Sequence, residues 1–249
     1  MKKTFQVGNL IFGEGVPKIC VPVVAEKQEV IWKKAEEIAV LPADLVEWRV
    51  DFYEDVFEME EVLRTLEGLK KRLGEKPLLF TFRTRGEGGN RAADPETYDL
   101  LLKSAARGGA ELIDVEAYPK NGKTAEKIAG LQDAGAHVIA SSHDFQRTPS
   151  IEEMTDRLRY MERLGADAVK LAVMPSGNQD VLNLLQATVT AEEKLSVPVV
   201  TMSMGSLGLV SRICGSLTGS AMIFAYVGES SAPGQIPLEQ MAEILKAFC

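Results

Sequence analysis

The residue in this sequence that most clearly could do chemistry is a lysine inside an apolar run. Lys170 lies within residues 168–173, whose other members are all apolar, a pattern typical of a buried strand. Burial disfavours the ammonium form and lowers the pKa of a lysine, which can turn the side chain into an amine nucleophile. The alternative is a structural lysine whose head group reaches solvent or a hidden carboxylate. For a lone lysine the structural interpretation is the more common one, so the surrounding residues must decide.

A histidine and a glutamate could work with this lysine. His143 follows the apolar run at residues 138–140, and imidazole titrates near neutrality, so this side chain could remove a proton and return it within one turnover. Glu87 is a candidate for orienting the ring of His143 or tuning its pKa. The other histidine, His137, precedes the same run and is expected to be structural.

Cationic side chains near the ends of other apolar runs predict an anionic substrate. The net charge of the chain is −8, so a local group of cations indicates a small anion that is steered to the site. Glu47, Arg49 and Asp51 share one face of a strand because strand side chains alternate, and Glu47 could simply neutralise Arg49. The loop near the C-terminus offers Ser231 and Gln235 as neutral hydrogen-bonding groups. Beside Lys170, the candidate cations are Arg49, Arg83 and Arg212.

The elements that must position these residues alternate along the chain. Eight apolar runs suited to strands occur at residues 19–24, 45–50, 78–82, 112–115, 138–140, 168–173, 197–202 and 221–227. Amphipathic helical segments lie between them, at residues 28–40, 59–73, 95–107, 151–164 and 181–195. This alternation predicts one closed (β/α)₈ barrel, a TIM barrel, that forms a single domain over residues 1–249. The candidate residues fall at the C-terminal ends of the predicted strands, where the active sites of such barrels lie.

Local signals add detail to this architecture. A short β-hairpin is expected within residues 4–12, before the barrel begins. Asp94 and Thr148 each precede a proline and are predicted to be helix N-caps. No Gly-x-Gly-x-x-Gly turn follows the first apolar run, which argues against a dinucleotide-binding fold.

Composition argues against several classes of partner. The negative net charge disfavours nucleic-acid and anionic-membrane partners, and no apolar run approaches the roughly 18 residues of a membrane span. Three scattered cysteines, Cys20, Cys214 and Cys249, predict free thiols and a reducing cytoplasm. No metal-binding motif and no Gly-x-Ser-x-Gly motif occurs, so we expect neither a metal nor another cofactor. A lysine and a histidine without a cofactor suit imine chemistry, in which a protonated imine draws electrons from an adjacent C–H bond.

Several spaced motifs together resemble one family across essentially the whole chain. They are Glu-Trp-Arg-Val-Asp at 47–51, Pro-Leu-Leu-Phe-Thr-Phe-Arg at 77–83, Glu-Gly-Gly at 87–89, Ser-His-Asp-Phe at 142–145, Val-Lys-Leu-Ala-Val-Met-Pro at 169–175, Thr-Met-Ser-Met at 201–204 and Ser-Ala-Pro-Gly-Gln at 231–235. On these motifs the chain resembles type I 3-dehydroquinate dehydratase, the cofactor-free lyase of the shikimate pathway. Pro22 and Ser142 stand where many members have serine and asparagine, departures that bear on affinity rather than on the type of reaction.

The resemblance implies a homodimeric barrel that dehydrates 3-dehydroquinate to 3-dehydroshikimate by syn elimination. Lys170 would form a Schiff base with the C3 ketone. His143 would move the C2 proton to the departing C1 hydroxyl, and Glu87 would pair with His143. The substrate-binding positions implied by the resemblance are Glu47, Arg49 and Arg83 for the ring hydroxyls, Arg212 for the carboxylate, and Ser231 and Gln235 in a closing loop.

Two alternatives remain open on the residues alone. A class I aldolase or transaldolase would use the same lysine to break a carbon–carbon bond, with a phosphate site near the last strands. A non-catalytic barrel would bind a small carboxylate, with Lys170 as a simple counter-ion. Activity on phosphorylated sugars would favour the first alternative, and binding without formation of a conjugated enone would favour the second.

Overall fold

A two-stranded hairpin precedes the barrel, as the sequence predicts. The computed structural model describes residues 4–118, 122–228 and 234–248. Strands β1 (Phe5–Val7) and β2 (Leu10–Phe12) pair antiparallel around a two-residue turn. Gly8 in that turn has φ +56°, a conformation that glycine adopts without steric cost.

The remaining strands form one parallel sheet that closes into a barrel. They are β3 (Lys18–Val23), β4 (Leu45–Arg49), β5 (Leu78–Thr81), β6 (Leu112–Glu116), β7 (His137–Asp144), β8 (Ala168–Val173), β9 (Val199–Ser203), β10 (Met222–Tyr226) and β11 (Ile236–Pro237). Neighbours from β3 to β9 pair in sequence order, β10 pairs with β3, and β11 extends β10. The ring closes where the backbone N–H of Ala221 donates to the carbonyl of Val199 over 2.7 Å. The predicted (β/α)₈ barrel is confirmed.

Helices cover the outside of this barrel. They are α1 (Gln28–Ala39), α2 (Met59–Leu73), α3 (Pro95–Arg107), α4 (Thr124–Asp133), α5 (Ile151–Arg163), α6 (Asn178–Lys194), α7 (Leu209–Ile213), α8 (Gly215–Thr218) and α9 (Leu238–Lys246). None of the helices in the described ranges is long and apolar enough to cross a membrane.

One of the two predicted N-caps is correct. The carboxylate of Asp94 accepts from the backbone N–H groups of Glu96 and Thr97, which confirms it as the cap of α3. The prediction of Thr148 as the cap of α5 is wrong, because Ser150 has that role and accepts from the backbone N–H of Glu153. The hydroxyl of Thr148 instead donates to the carbonyl of Met174, a tertiary contact that a local pattern cannot show.

Side chains inside the barrel form layers because inward-facing residues recur every second position along a strand. The lowest layer is an apolar floor made of Cys20, Leu45, Leu79, Leu112, Ile139, Ala168, Val200 and Met222. Two residues further along each strand, the next layer contains Glu47, Thr81, Asp114, Ser141, Lys170, Met202 and Phe224. The third layer contains Arg49, Arg83, Glu116, His143, Ala172 and Met204. The inward face therefore changes from apolar to ionisable toward the C-terminal ends of the strands.

The hairpin closes the opposite end of the barrel. Val7 and Phe12 are buried and belong to the same apolar cluster as the floor. The ring of Phe5 stacks on that of Phe12 at 4.8 Å and on that of His137 at 4.7 Å between centroids. Nδ1 of His137 lies 3.4 Å from Oδ1 of Asp167. His137 was expected just before the strand but is the first residue of β7, and its contacts agree with the predicted structural role.

Candidate active site

Lys170 projects from β8 into the barrel and is 4% exposed. Its Nζ atom lies 3.2 Å from Oδ2 of Asp114 and 4.0 Å from Oε1 of Glu47. The face of the Phe224 ring lies 4.6 Å from the same nitrogen. The lysine has hidden carboxylates as partners, as the structural interpretation required, and it also lines an open cavity.

His143 and Glu87 form a close pair at one wall of that cavity. Nδ1 of His143 lies 2.8 Å from Oε2 of Glu87, and the backbone N–H of His143 donates to the same oxygen over 3.0 Å. Burial, reinforced by the positive charges of Arg83 and Lys170, holds the pKa of His143 well below its usual value. Burial raises the pKa of Glu87 to about 8, although the charge of Arg83 opposes this shift. The ring of His143 is therefore neutral at neutral pH, the form that can accept a proton.

The loop that carries Glu87 is held in one shape by the two glycines that follow this residue, Gly88 and Gly89. A Cβ atom at Gly89 would lie 1.8 Å from the carbonyl oxygen of Arg83, so only glycine fits there. Gly88 has φ +81°, and a Cβ atom there would lie 2.3 Å from the ring of Phe145. The Glu-Gly-Gly sequence thus lets the loop pack tightly while directing the glutamate at His143.

Arg83 is clamped by carboxylates from neighbouring strands. Its Nη2 lies 2.7 Å from Oδ1 of Asp114, and its Nη1 lies 3.1 Å from Oε1 of Glu116 and 3.6 Å from Oε2 of Glu87. Ser141 accepts from Nη1 over 3.0 Å. Burial alone would lower the pKa of this guanidinium, but the surrounding carboxylates raise it above its usual value. Arg83 is consequently a fixed cation at the wall of the cavity.

Arg49 pairs with Asp51 and not with Glu47. Two of its guanidinium nitrogens each donate to Asp51 over 2.8 Å. Glu47 instead accepts from the hydroxyl of Thr81 over 2.9 Å. The self-neutralised Glu47–Arg49 pair that the sequence left open is therefore not formed, and Glu47 faces Lys170.

The cavity itself has a volume of about 220 Å³. Arg212 reaches it from α7 and is 3% exposed, and burial lowers the pKa of its guanidinium to about 10. Gln235, just before β11, lies on the same cavity, whereas Ser231 lies outside the described residues. The cavity is lined by Glu47, Arg49, Phe52, Thr81, Arg83, Glu87, Gly88, His143, Phe145, Lys170, Ala172, Met202, Met204, Arg212, Phe224 and Gln235.

The structure brings together all the predicted site residues that it describes, and it adds others to which the sequence assigned no role. Phe145 and Phe224 contribute apolar walls, and Thr81 orients Glu47. Asp114 and Ser141 contact the guanidinium of Arg83 from the neighbouring strands. Their signal was available in the strand alternation, because each occupies the inward position two residues beyond a floor residue.

This arrangement suits a small carboxylate that carries a ketone. Cationic groups at Arg49, Arg83 and Arg212 surround the opening, and a primary amine and a neutral imidazole face the same space. Among the described residues, no three histidine, cysteine, aspartate or glutamate side chains are placed to hold a metal ion.

Comparison with known proteins gives a consistent result. A sequence model of the family described as "Type I 3-dehydroquinase" matches residues 19–248. The chain is 46% identical over 244 residues to a 3-dehydroquinate dehydratase of Syntrophotalea carbinolica, with 97% of this chain and 96% of the relative covered. It is 44% identical over 240 residues to the 3-dehydroquinate dehydratase of Listeria welshimeri, with 96% and 95% covered.

Solved structures agree with the sequence relatives. The type I 3-dehydroquinate dehydratase of Clostridium difficile, solved with covalently modified comenic acid, superposes with a TM-score of 0.96 at 40% identity over 99% of this chain and 98% of that chain. The 3-dehydroquinate dehydratase of Geobacillus kaustophilus superposes with a TM-score of 0.94 at 40% identity, with 98% and 96% covered.

Proposed function

Because the chain belongs to the type I 3-dehydroquinase family, we propose that Lys170, His143 and Glu87 carry out its reaction. That reaction is the dehydration of 3-dehydroquinate to 3-dehydroshikimate in the shikimate pathway. The observation that carries the proposal is the meeting of an amine nucleophile and a neutral imidazole in one cavity. The relatives named above are 3-dehydroquinate dehydratases, which favours this reaction over the aldolase and carboxylate-binding alternatives.

Lys170 supplies the covalent step. Its amine adds to the C3 ketone, the ketone oxygen leaves as water, and a protonated imine links the nitrogen to C3. The positive imine nitrogen then accepts the electron pair that is released when a proton is removed from C2. The Clostridium difficile relative was solved with covalently modified comenic acid, and covalent chemistry in that protein supports the same type of step here.

His143 moves the proton. With its Nδ1–H donated to Glu87, the free Nε2 atom removes the C2 proton and then gives it to the C1 hydroxyl, which leaves as water. One base that serves both steps accounts for a syn elimination. Hydrolysis of the product imine returns the free lysine. Oε2 of Glu87 accepts from Nδ1 and so fixes the orientation of the ring.

The remaining residues bind the substrate. Glu47, Arg49 and Arg83 would hold the ring hydroxyls, and the buried cation of Arg212 would hold the carboxylate. Gln235 adds a neutral donor at the cavity edge, and Ser231 has the same proposed role from outside the described part of the chain. The net charge of −8 makes this local group of cations the region that attracts an anion.

Borohydride trapping tests the proposal. Reduction in the presence of dehydroquinate should leave a stable adduct on the peptide that contains Lys170, detected by mass spectrometry. Lys170→Ala should abolish the adduct and lower kcat by about 10³–10⁶-fold. An undiminished rate in that variant would show the imine mechanism to be wrong.

A second buried lysine provides the matched control. Lys127 is also 4% exposed, but it pairs with Asp99 and lies over the ring of Tyr98, away from the cavity lining. Lys127→Met should keep the adduct at Lys170. Loss of the adduct in both variants would indicate damage to the fold rather than removal of the nucleophile.

We also propose that the enzyme is a homodimer of the cytoplasm. Exposed apolar side chains on helices α6, α7 and α8, which contact one another, support an interface between copies. They include Leu182, Leu209, Val210 and Leu217. Light scattering should give twice the chain mass, and Leu217→Glu should shift the population toward monomer. A monomeric wild-type protein at micromolar concentration would overturn the assembly. The free thiols of Cys20 and Cys214 support a reducing compartment.

A further inference from the structure

Asp114 is a buried carboxylate in the same layer of barrel side chains as the nucleophile, Lys170. It is 1% exposed and does not line the substrate cavity. Its two oxygens have different partners. Oδ1 accepts from the hydroxyl of Ser141 over 2.5 Å and lies 2.7 Å from Nη2 of Arg83, whereas Oδ2 faces Nζ of Lys170 at 3.2 Å. One oxygen is thus tied to the barrel wall, and the other is presented to the lysine nitrogen.

Other groups around that nitrogen are less suited to balance its charge. Glu47 on β4 is further away, at 4.0 Å, and lines the cavity, where it meets the substrate. Phe224 on β10 offers only a ring face. His143 on β7 is neutral because burial lowers its pKa, and Cys20 on β3 is neutral because burial raises the pKa of its thiol.

Asp114 keeps its negative charge throughout the working pH range. Burial alone would raise the pKa of its carboxyl, but the charges of Arg83 and Lys170 and the hydrogen bond from Ser141 hold it well below the usual value. The group therefore neither donates nor accepts a proton during turnover. Its effect on the reaction must be electrostatic.

We propose that Asp114 is the counter-ion of the protonated imine on Lys170. The inference rests on the function proposed above and assigns Asp114 a role that no substrate contact explains. A protonated imine gives up its proton more readily than an alkylammonium ion, and the neutral imine is a poor electron sink. An anion 3.2 Å from the nitrogen favours the charged form.

The charge of the nitrogen changes in a defined order. Ammonium becomes amine before attack, and imine formation with loss of water leaves one positive charge on nitrogen. Removal of the C2 proton makes a neutral enamine, and departure of the C1 oxygen as water restores the cation. Asp114 stabilises the nitrogen at each stage where it is positively charged. It acts through Lys170 and does not touch the substrate, so it is a positioning residue rather than a catalytic residue.

The pH dependence of imine trapping tests this role. Cyanoborohydride reduces the protonated imine, so adduct formation with dehydroquinate should give a bell-shaped pH curve. It falls on the acid side because the attacking amine is protonated, and on the alkaline side because the imine loses its proton. Asp114→Asn keeps the shape of the side chain but removes its charge. Both limbs of the curve should move to lower pH, by about 1–3 units.

Glu116→Gln is the matched control. Glu116 is also buried and also pairs with Arg83, but its other contacts are to the backbone N–H and hydroxyl of Thr84. Whatever this variant does to kcat, its trapping curve should keep both limbs at the wild-type pH. A role of Asp114 limited to holding Arg83 predicts the same curve for both variants.

Ser141→Ala gives an independent test with the opposite sign. Loss of a hydrogen bond to Oδ1 leaves more negative charge available to the nitrogen, so the alkaline limb should move up by a few tenths of a pH unit. If Asp114→Asn shows no cooperative unfolding transition and is therefore not folded, Ser141→Ala alone tests the counter-ion role. An alkaline limb that stays at the wild-type pH in both variants would overturn the counter-ion role. No adduct in the wild type would instead overturn the proposed function.

Discussion

The two ends of the barrel use the same strands for opposite purposes, and β7 shows this within eight residues. His137 begins the strand beside the hairpin, where its hydrogen bond to Asp167 raises its pKa. His143, near the other end, has its pKa lowered well below the usual value by burial. The pKa values of two histidines on one strand are thus shifted in opposite directions. Position within the barrel therefore decides the role of each histidine.

The surroundings explain the difference in tuning. At the hairpin end, aromatic stacking and an ion pair satisfy the titratable group, and a protonated His137 is favoured. At the cavity end, Glu87, His143 and Lys170 are crowded together with limited access to water. We therefore expect the hairpin end to contribute mainly stability and the cavity end mainly activity, at some cost in stability.

The largest separation of the two roles is expected at His143. His143→Gln should lower kcat by about 10²–10⁴-fold, because general acid–base catalysis is lost, while the imine at Lys170 still forms. The formation of the enone product can be followed by its absorbance, and trapping reports the imine. A fall of less than tenfold would place the proton transfer on another group.

The hairpin should show the converse behaviour. Phe12 is fully buried beneath the floor, so Phe12→Ala should lower the free energy of unfolding by about 3–5 kcal/mol and leave kcat per folded molecule unchanged. Ile11 is 40% exposed on the same strand, and Ile11→Ala should cost less than about 0.5 kcal/mol. Urea unfolding and active-site titration by trapping separate the two quantities. A loss of kcat in the folded fraction would mean that the two ends are coupled.

Ionisation of the buried Glu87 should lower the free energy of unfolding, which is the stability cost expected at the cavity end. Its pKa rises from 4.5 to about 8, so the folded state binds more protons in this interval and stability falls as pH increases through it. Glu87→Gln removes this cost. The variant should be more stable than wild type by about 1–3 kcal/mol at about pH 9 and should show little gain at about pH 4.5. Urea unfolding at both pH values measures the difference, and an equal difference at both would contradict the assigned cost.

Much of the fold and of the candidate site could be predicted from the sequence, because helix bounds and inward-facing strand positions follow from periodic local patterns. Helices α2 and α3 have the predicted bounds, and Lys170 and His143 occupy the inward positions that strand alternation requires. The partner of Arg49 could not be predicted in this way. The chain turns into a short 3₁₀ helix at Val50–Phe52, so the period of two ends there and Asp51 folds back onto Arg49.

Contacts between distant strands were also beyond sequence reasoning. Asp114 and Arg83 are 31 positions apart, and their pairing depends on the register of β5 with β6 and on side-chain reach. Thr148 failed as a predicted cap for the same reason, since its hydroxyl donates to a strand-end carbonyl 26 positions away. Local patterns identified which residues face inward, but they could not identify which inward residues touch.

The smallest expected effect on stability is at His137, and its pH dependence should have the opposite sign to that of His143. The folded-state pKa of His137 is raised, so its ion pair stabilises the protein below about pH 6.5 and is lost as pH rises through the folded value. The side chain is 34% exposed, and solvent screening limits the effect of His137→Gln to less than about 1 kcal/mol at acidic pH. Loss of stacking on Phe5 contributes equally at all pH values, so the pH-dependent part isolates the ion pair with Asp167.

For His143→Gln the sign reverses, because a lowered pKa makes the wild-type histidine costly at acidic pH. Unfolding free energies of both variants at about pH 5.5 and about pH 9 should therefore differ from wild type with opposite slopes. Parallel slopes would mean that the two ends do not tune their histidines in opposite directions.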